Sequence, residues 1–250
     1  MNLAEYPCYS RLIPILRDPL NLKIDRVRNA GDVVDGNIIM WNGLKVLQHS
    51  YYGDFSKILE LNGGVHEPTE EYLFNIAINK TKNNPTMIEL GAFWAFYSMS
   101  LLQVRPKATC YMIEPDEECL NIGKKHFEIN NFSGTFIHDY IAKDRIVIDK
   151  FVKDRNIDFI DILHSDIQEA EVEMLRGAEE TLRDKKVGYV FIGTHTQDIH
   201  YHCLDTLKRH NYQIICAQDL EQTYCHDGII VAQHPDYEII NFKTVNRNES

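Results

Sequence analysis

The sequence predicts an α/β domain built on a doubly wound, mostly parallel seven-stranded sheet. From residue 86 onward, short apolar runs alternate with amphipathic stretches, and strand–helix alternation of this kind closes a parallel sheet with helices on both faces. The last two apolar runs have no helical stretch between them, so they are expected to form an antiparallel hairpin at the sheet edge. The 250 residues, 44% hydrophobic and 25% charged, suit one such domain with an added segment and exclude collagen-like, low-complexity and wholly disordered chains.

Residues 1–65 read as an N-terminal extension packed on the main domain. GNIIMWNG and LKVLQH are short and strand-like, punctuated by Gly and Asn. Asn62-Gly63-Gly64 is expected to be a flexible joint. The main domain then spans residues 66–240, with a tail at 241–250. His66-Glu67-Pro68-Thr69-Glu70-Glu71 opens a helix, with proline in the first turn and acids at the positive end of the dipole. The strands follow at residues 86–90, 108–113, 135–138, 157–163, 187–192, 212–216 and 228–232. Helices are expected at 96–104, 116–131, 168–182 and 199–210, each with an apolar stripe.

The chain has 26 Lys and Arg against 37 Asp and Glu, a formal net charge of −11. Its densest basic clusters are pairs, Lys124-Lys125 and Lys185-Lys186. Nucleic acid and anionic membrane surfaces are therefore not expected partners, and neutral or cationic small molecules are. No apolar run approaches the ~18 residues of a membrane helix. The start, MNLAEYPCYSRLIPILRDPL, is broken by prolines and arginines, so a cytoplasmic location is expected. Cysteines 8, 110, 119, 203, 216 and 225 form no CxxC pair and read as free thiols in a reducing compartment.

Open α/β sheets bind ligands beyond the carboxyl ends of their strands. The first strand of the main domain is followed by Glu89-Leu90-Gly91-Ala92-Phe93-Trp94-Ala95. Two of the three glycines of GxGxxG are missing, which disfavours a pyrophosphate cradle. The second strand ends in Glu114-Pro115-Asp116. A carboxylate there suits a ribose diol, because it can accept from both hydroxyls.

The ordered set IELGAFWAFYS, YMIEPDEECLNIGKKHFEINN, IDILHSDIQEAEVEMLRGA, FIGTH and CHDGIIVA resembles the FkbM-like methyltransferases, class I enzymes with a Rossmann-like fold that use S-adenosyl-L-methionine. Ala95 stands where many methyltransferases carry a second Gly, and Glu169 where this family usually has Gly. The resemblance implies that Glu89 and Gly91, with Ala92 and Phe93 beside them, border the methionine part of the cofactor, with Ser98 near its carboxylate. It implies that Glu114 holds the ribose, that Pro115 and Asp116 adjoin it, and that Asp139 and Tyr140 lie near the adenine. The alternative readings are a solvated strand end for Glu89 and a helix N-terminal acid for Glu114.

The same resemblance places Asp166 and His195, each after a strand, beside the transferable methyl group. A hydroxyl acceptor must lose its proton as it attacks, so a base or a metal ion helps. In one version His195 is a neutral general base and Asp166 orients it or the substrate. In the other, Asp166 and His195 ligate a divalent ion such as Mg²⁺ or Mn²⁺. Asp166 as an N-cap and His195 as a satisfied buried histidine stay open. Glu67 and the helix it opens read as a lid or as a capped surface helix, and Asp227-Gly228 reads as a turn. The implied activity is O-methylation of a hydroxyl, of a sugar in a glycan or glycosylated metabolite. The rivals are a non-catalytic nucleoside-binding module and a nicotinamide oxidoreductase. A homo-oligomer is left open.

Overall fold

The computed structural model describes residues 9–249, so Cys8 and Ser250 lie outside it. The extension begins with helix α1 (Tyr9–Arg17) and then folds into a small antiparallel sheet of β1 (Val33–Val34), β2 (Asn37–Ile39) and β3 (Lys45–Leu47). Helix α2 (Lys57–Leu61) leads into α3 (Pro68–Lys80). The main sheet uses β4 (Thr86–Leu90), β5 (Thr109–Glu114), β6 (Thr135–His138), β7 (Ile160–Ser165), β8 (Val187–Thr194), β9 (Gln213–Gln218) and β10 (Gly228–Gln233). Between them lie α4 (Phe96–Val104), α5 (Glu117–Ile129), α6 (Ile148–Asp154), α7 (Glu171–Arg176), α8 (Glu179–Arg183) and α9 (Gln197–Arg209).

The strand order is β6-β5-β4-β7-β8-β10-β9, parallel except where β10 runs antiparallel to β8 and β9. This is the predicted seven-stranded sheet with its edge hairpin. The chain winds outward from β4 to β6 and then crosses back to β7, so the winding reverses between β4 and β7. Ligands in open α/β sheets sit beyond the strand ends at that reversal.

Side chains alternate along each strand and separate two cores. Met87, Met112, Ile162, Phe191 and Val231 face one way, toward α3, α4 and the extension. Ile88, Ile113, Leu163, Val190 and Ile230 face the other, toward α6 to α9. The extension is part of the first core through Leu12, Ile38, Val46, Ile58 and Leu59. Polar contacts pin it as well. The Leu47 amide donates to His126 Nε2 at 3.0 Å, and the other ring nitrogen lies 3.1 Å from the Trp94 carbonyl. Burial, only partly offset by the Trp94 contact, pushes the His126 pKa down to about 4, so the neutral ring bridges β3 and the loop after β4.

Several predicted elements differ in detail. Asn62-Gly63-Gly64 is a packed turn and not a flexible joint. Gly64 has φ +76°, and a Cβ there would stand 2.4 Å from the Trp41 amide nitrogen; Asn62 is buried and donates to Asn21 and Val65. The helix expected at 168–182 is two helices, and it starts later because Gln168 and Glu169 have φ +51° and +76°. Its break at Gly177 follows from α6, which the sequence reading passed over. Asp149 of α6 accepts from the amides of Glu180 and Thr181 and so caps a new helix start. Helix α3 is mostly buried rather than a surface element. Glu71 reaches back to accept from the amides of His66 and Glu67 at 2.7 and 2.8 Å, which satisfies the helix N-terminus.

Phe74 on α3 is fully buried between Tyr97 and Phe191, which ties this helix to the sheet. Phe74→Ala is expected to cost about 3–5 kcal/mol, read by chemical denaturation; a loss below about 1 kcal/mol would show that α3 is not held by this contact.

Candidate functional site

The ends of β4 and β7 meet at the reversal. The Asp166 amide donates to the Leu90 carbonyl at 3.0 Å. Gly91 follows with φ +66°, and a Cβ there would lie 1.8 Å from the Asp166 carbonyl oxygen. The glycine thus lets two strand ends approach one another. Two cavities open from this joint, of about 650 and 360 Å³, and Gly91, Asp166 and Gln168 line both.

The smaller cavity has apolar walls from Leu90, Ile113, Ile141, Ile167 and Ala170. Pro115 adds to these walls, and Glu114, Asp139 and Tyr140 give the polar lining. Glu114 is 7% exposed. Its carboxylate accepts from the amides of Phe93 and Asp116 at 2.8 and 2.9 Å, which orients it and leaves lone pairs for a ligand. Burial raises its pKa, and these two amides work against the rise. Asp116 does not line the cavity. Its side chain accepts from the Cys119 amide and caps α5.

The larger cavity takes Glu89, Gly91, Ala92 and Phe93 from the first strand end, and Asp166 and His195 from β7 and β8. Glu89 is buried and accepts from the Ser98 amide at 3.1 Å. Ser98 itself is not brought to the cavity; its hydroxyl lies 4.0 Å from the Met87 sulfur. Glu67 lines the wall, accepts from the Tyr97 hydroxyl at 2.9 Å and stands 3.4 Å from His66 Nε2. Burial is the main force pushing the Glu67 pKa up to about 8. Burial likewise raises Glu89 and Asp227. Carboxylates withdrawn from water around one cavity favour a cationic ligand.

His195 sits among acids. Nδ1 is 2.5 Å from Glu171 Oε1, and Nε2 is 3.1 Å from Asp166 Oδ1 and 3.9 Å from Asp227 Oδ1. The Gln168 side-chain amide also lies 2.8 Å from Nε2. Burial favours the neutral ring, but hydrogen bonds to Asp166 and Glu171 outweigh it and push the pKa up to about 10. The resting ring is therefore a cation. The sequence reading expected a neutral His195 poised as base; here two carboxylates hold its two nitrogens. Asp166 does not cap a helix; it follows β7 directly, and its side chain leans over Gly193, with Oδ1 3.4 Å from where a Cβ would stand. As for the metal version, both His195 nitrogens are occupied by side chains, and among the described residues no group of three or more His, Cys, Asp or Glu is placed to hold a metal ion.

Glu171 and Asp227 escaped the sequence reading. Glu171 looks like one more acid in an amphipathic helix, yet it is 0% exposed. Asp227 looks like a turn residue, yet it lines the larger cavity. His200, by contrast, is structural: it is buried, with Nδ1 2.9 Å from the Thr194 hydroxyl. Ala95 adopts φ +60°, so it and Glu169 take the left-handed backbone that glycine favours without being glycine.

A family model described as the methyltransferase FkbM domain matches residues 63–214. No curated protein matches the chain. Among solved structures, precorrin-6y C5,15-methyltransferase from Geobacter metallireducens GS-15 is 13% identical, with 67% of this chain and 89% of that chain covered, at a TM-score of 0.49. TrmK of M. capricolum, in complex with S-adenosyl-homocysteine, is 18% identical over 66% of this chain and 69% of that one, at 0.47. Aeropyrum pernix fibrillarin, in complex with S-adenosyl-L-methionine, is 14% identical over 65% and 74%, at 0.45.

Gly91→Ala is expected to lower stability by about 2–5 kcal/mol, from left-handed strain plus the clash with Asp166; unchanged denaturant unfolding would contradict the contact. The His195 ring should titrate by NMR with a midpoint near 10, and Glu171→Gln should bring that midpoint down. A folded-state pKa above the unfolded value of ~6.5 adds stability in full below that value, and the gain is lost as pH rises through about 10. His66, raised to about 9 by Glu71 and Glu67 against its burial, acts with the same sign. The melting temperature should therefore fall across that window, less steeply in Glu171→Gln; identical slopes would refute the pairing.

Proposed function

The chain belongs to the methyltransferase FkbM domain family and is an S-adenosylmethionine-dependent methyltransferase, and from that premise we propose that it methylates a hydroxyl oxygen, of a sugar in a glycan or glycosylated metabolite. The observation that carries this reading is the Glu171–His195–Asp166 chain, which reaches the larger cavity through His195 and the joint of both cavities through Asp166. An alcohol is weakly acidic and must give up its proton as it attacks, and this chain offers a base for it.

The lining suits the cofactor. Glu114, held by two amides, accepts the ribose hydroxyls, and the apolar slot between Ile113, Ile141 and Ile167 takes the adenine, with Asp139 and Tyr140 at its rim. Glu89 takes the amino group of the methionine part, and Ala92 and Phe93 wall it. Asp166, at the joint of both cavities, would hold the positively charged end of the cofactor by charge. When bound, S-adenosylmethionine supplies a methyl group on a positively charged sulfur, which leaves as a neutral thioether.

The residues divide the remaining work. With a cation seated beside it, Asp166 would hold the second proton of His195 less tightly, so the ring pKa would fall from its resting value and Nε2 would release that proton to solvent. Glu171 keeps the proton on Nδ1 and fixes the ring plane. Nε2 then accepts the proton of the attacking hydroxyl. Gln168 and Asp227 stand around Nε2 and orient that hydroxyl. Phe93, Trp94 and Tyr97 keep water from the reacting end.

His195→Ala should reduce kcat by roughly 10²–10⁴-fold while S-adenosylhomocysteine still binds in calorimetry. Glu114→Ala should weaken that binding by about 10–100-fold. Transfer should be followed as S-adenosylhomocysteine release with methyl glycosides as acceptors, and the product's new methyl located by NMR. A methyl on nitrogen or carbon, or near-normal turnover in His195→Ala, would defeat the proposal.

A further inference from the structure

Part of the larger cavity's wall is unused by the transfer chemistry. It comes from the N-terminal extension, which contributes Arg11, Tyr51, Tyr52 and Asp54 among others. The two tyrosines are adjacent but differ in kind. Tyr51 is buried and packs on Phe55, His66 and Trp94, so the core accounts for it. Tyr52 is 60% exposed. One face of its ring stacks on Phe93, with centroids 4.7 Å apart and planes at 23°, and the ring is angled against Tyr51. With this exposure the opposite face is open.

The backbone holds it there at a cost. Tyr52 has φ +48° and Gly53 φ +59°, a left-handed pair that a tyrosine adopts only when its surroundings demand it. The ring lines the larger cavity together with Glu67, Asp166 and Asp227. The stack on Phe93 stabilises one face of the ring, but the exposed face forfeits its burial gain, so packing does not account for it.

We propose that Tyr52 forms the acceptor subsite with Phe93, in which the C–H face of a pyranose ring lies on the open face of Tyr52 and the sugar hydroxyls donate to Asp54 and Asp227. An aromatic face carries partial negative charge and attracts C–H groups, and ionised carboxylates are strong hydroxyl acceptors. The combination matches a ring that is apolar on one face and hydroxylated at its rim. The inference rests on the proposed function and assigns the extension the choice of acceptor. Because Phe93 also donates its amide to Glu114, the acceptor platform and the ribose-binding carboxylate share one loop.

The test uses the full chain with methyl α-D-glucopyranoside and methyl α-L-rhamnopyranoside as probes, and catechol as a planar control. Tyr52→Ala should raise KM for a glycoside about tenfold, the loss of one stacking contact, while kcat and the affinity for S-adenosylhomocysteine stay unchanged. Tyr52→Phe and Tyr52→Trp should keep the wild-type KM. An unchanged KM in Tyr52→Ala would overturn the subsite. So would catechol methylation with the same dependence on Tyr52, which would place a flat aromatic acceptor there, or a wild type that binds S-adenosylhomocysteine yet methylates neither glycoside. A wild type that does not bind S-adenosylhomocysteine would instead remove the function beneath the inference, a separate failure read in a separate titration.

Discussion

The approach of two backbone segments, the end of β4 and the end of β7, sets the geometry on which the rest depends. No side-chain atom fits between Gly91 and the Asp166 carbonyl. This contact closes the sheet at the point where its winding reverses, and the crevice beyond it is where parallel sheets expose backbone amides and strand-end side chains to a ligand. Moving either segment outward would separate Asp166 from Gly193 and His195 and would part the two cavities that now share Gly91, Asp166 and Gln168.

Around that joint the chain concentrates negative charge at low exposure. Isolated buried carboxylates are costly, and each one here is matched to a partner. Glu71 takes the amides that open α3 and stands 2.8 Å from His66; Glu70 holds His164; Glu171 holds His195; Glu114 takes two amides. Asp166 and Asp227 stand beside His195 toward the larger cavity, where a cationic cofactor would add to their neutralisation. A protein of net charge −11 thus spends part of its acidity on an interior surface, and the histidines there respond to it more than to water.

The extension is integrated with the catalytic unit rather than appended to it. His126 joins β3 to the Trp94 carbonyl, Asn130 bonds both backbone groups of Lys45, and Tyr51 packs on Trp94. Any shift of the extension is therefore felt in the loop that carries Phe93 and orients Glu114. That coupling gives a segment without strand-end chemistry a direct mechanical route to the cofactor loop.

Periodicity pointed to the sheet, most of its flanking helices and the edge hairpin, because apolar spacing at two and at about 3.6 residues reports directly on which face is buried; α6 and the break between α7 and α8 were not legible in it. The positions after each strand, read with the family resemblance, also pointed to Glu89, Gly91, Glu114, Asp166 and His195, since open sheets bind at their carboxyl ends wherever the chain goes next. What spacing does not encode is how side chains from distant segments meet. Glu171 lies in a stretch that reads as solvated helix, and Asp227 in one that reads as a turn; both became neighbours of His195 only when β7, β8 and β10 were laid side by side. The tertiary structure alone decided that His195 rests as a cation, that Ser98 faces the core, that Asp116 caps a helix, and that Gly63-Gly64 is a packed turn. The reason is common to all four: protonation, orientation and close packing are set by atoms across space, and a linear pattern reports only what each residue prefers by itself.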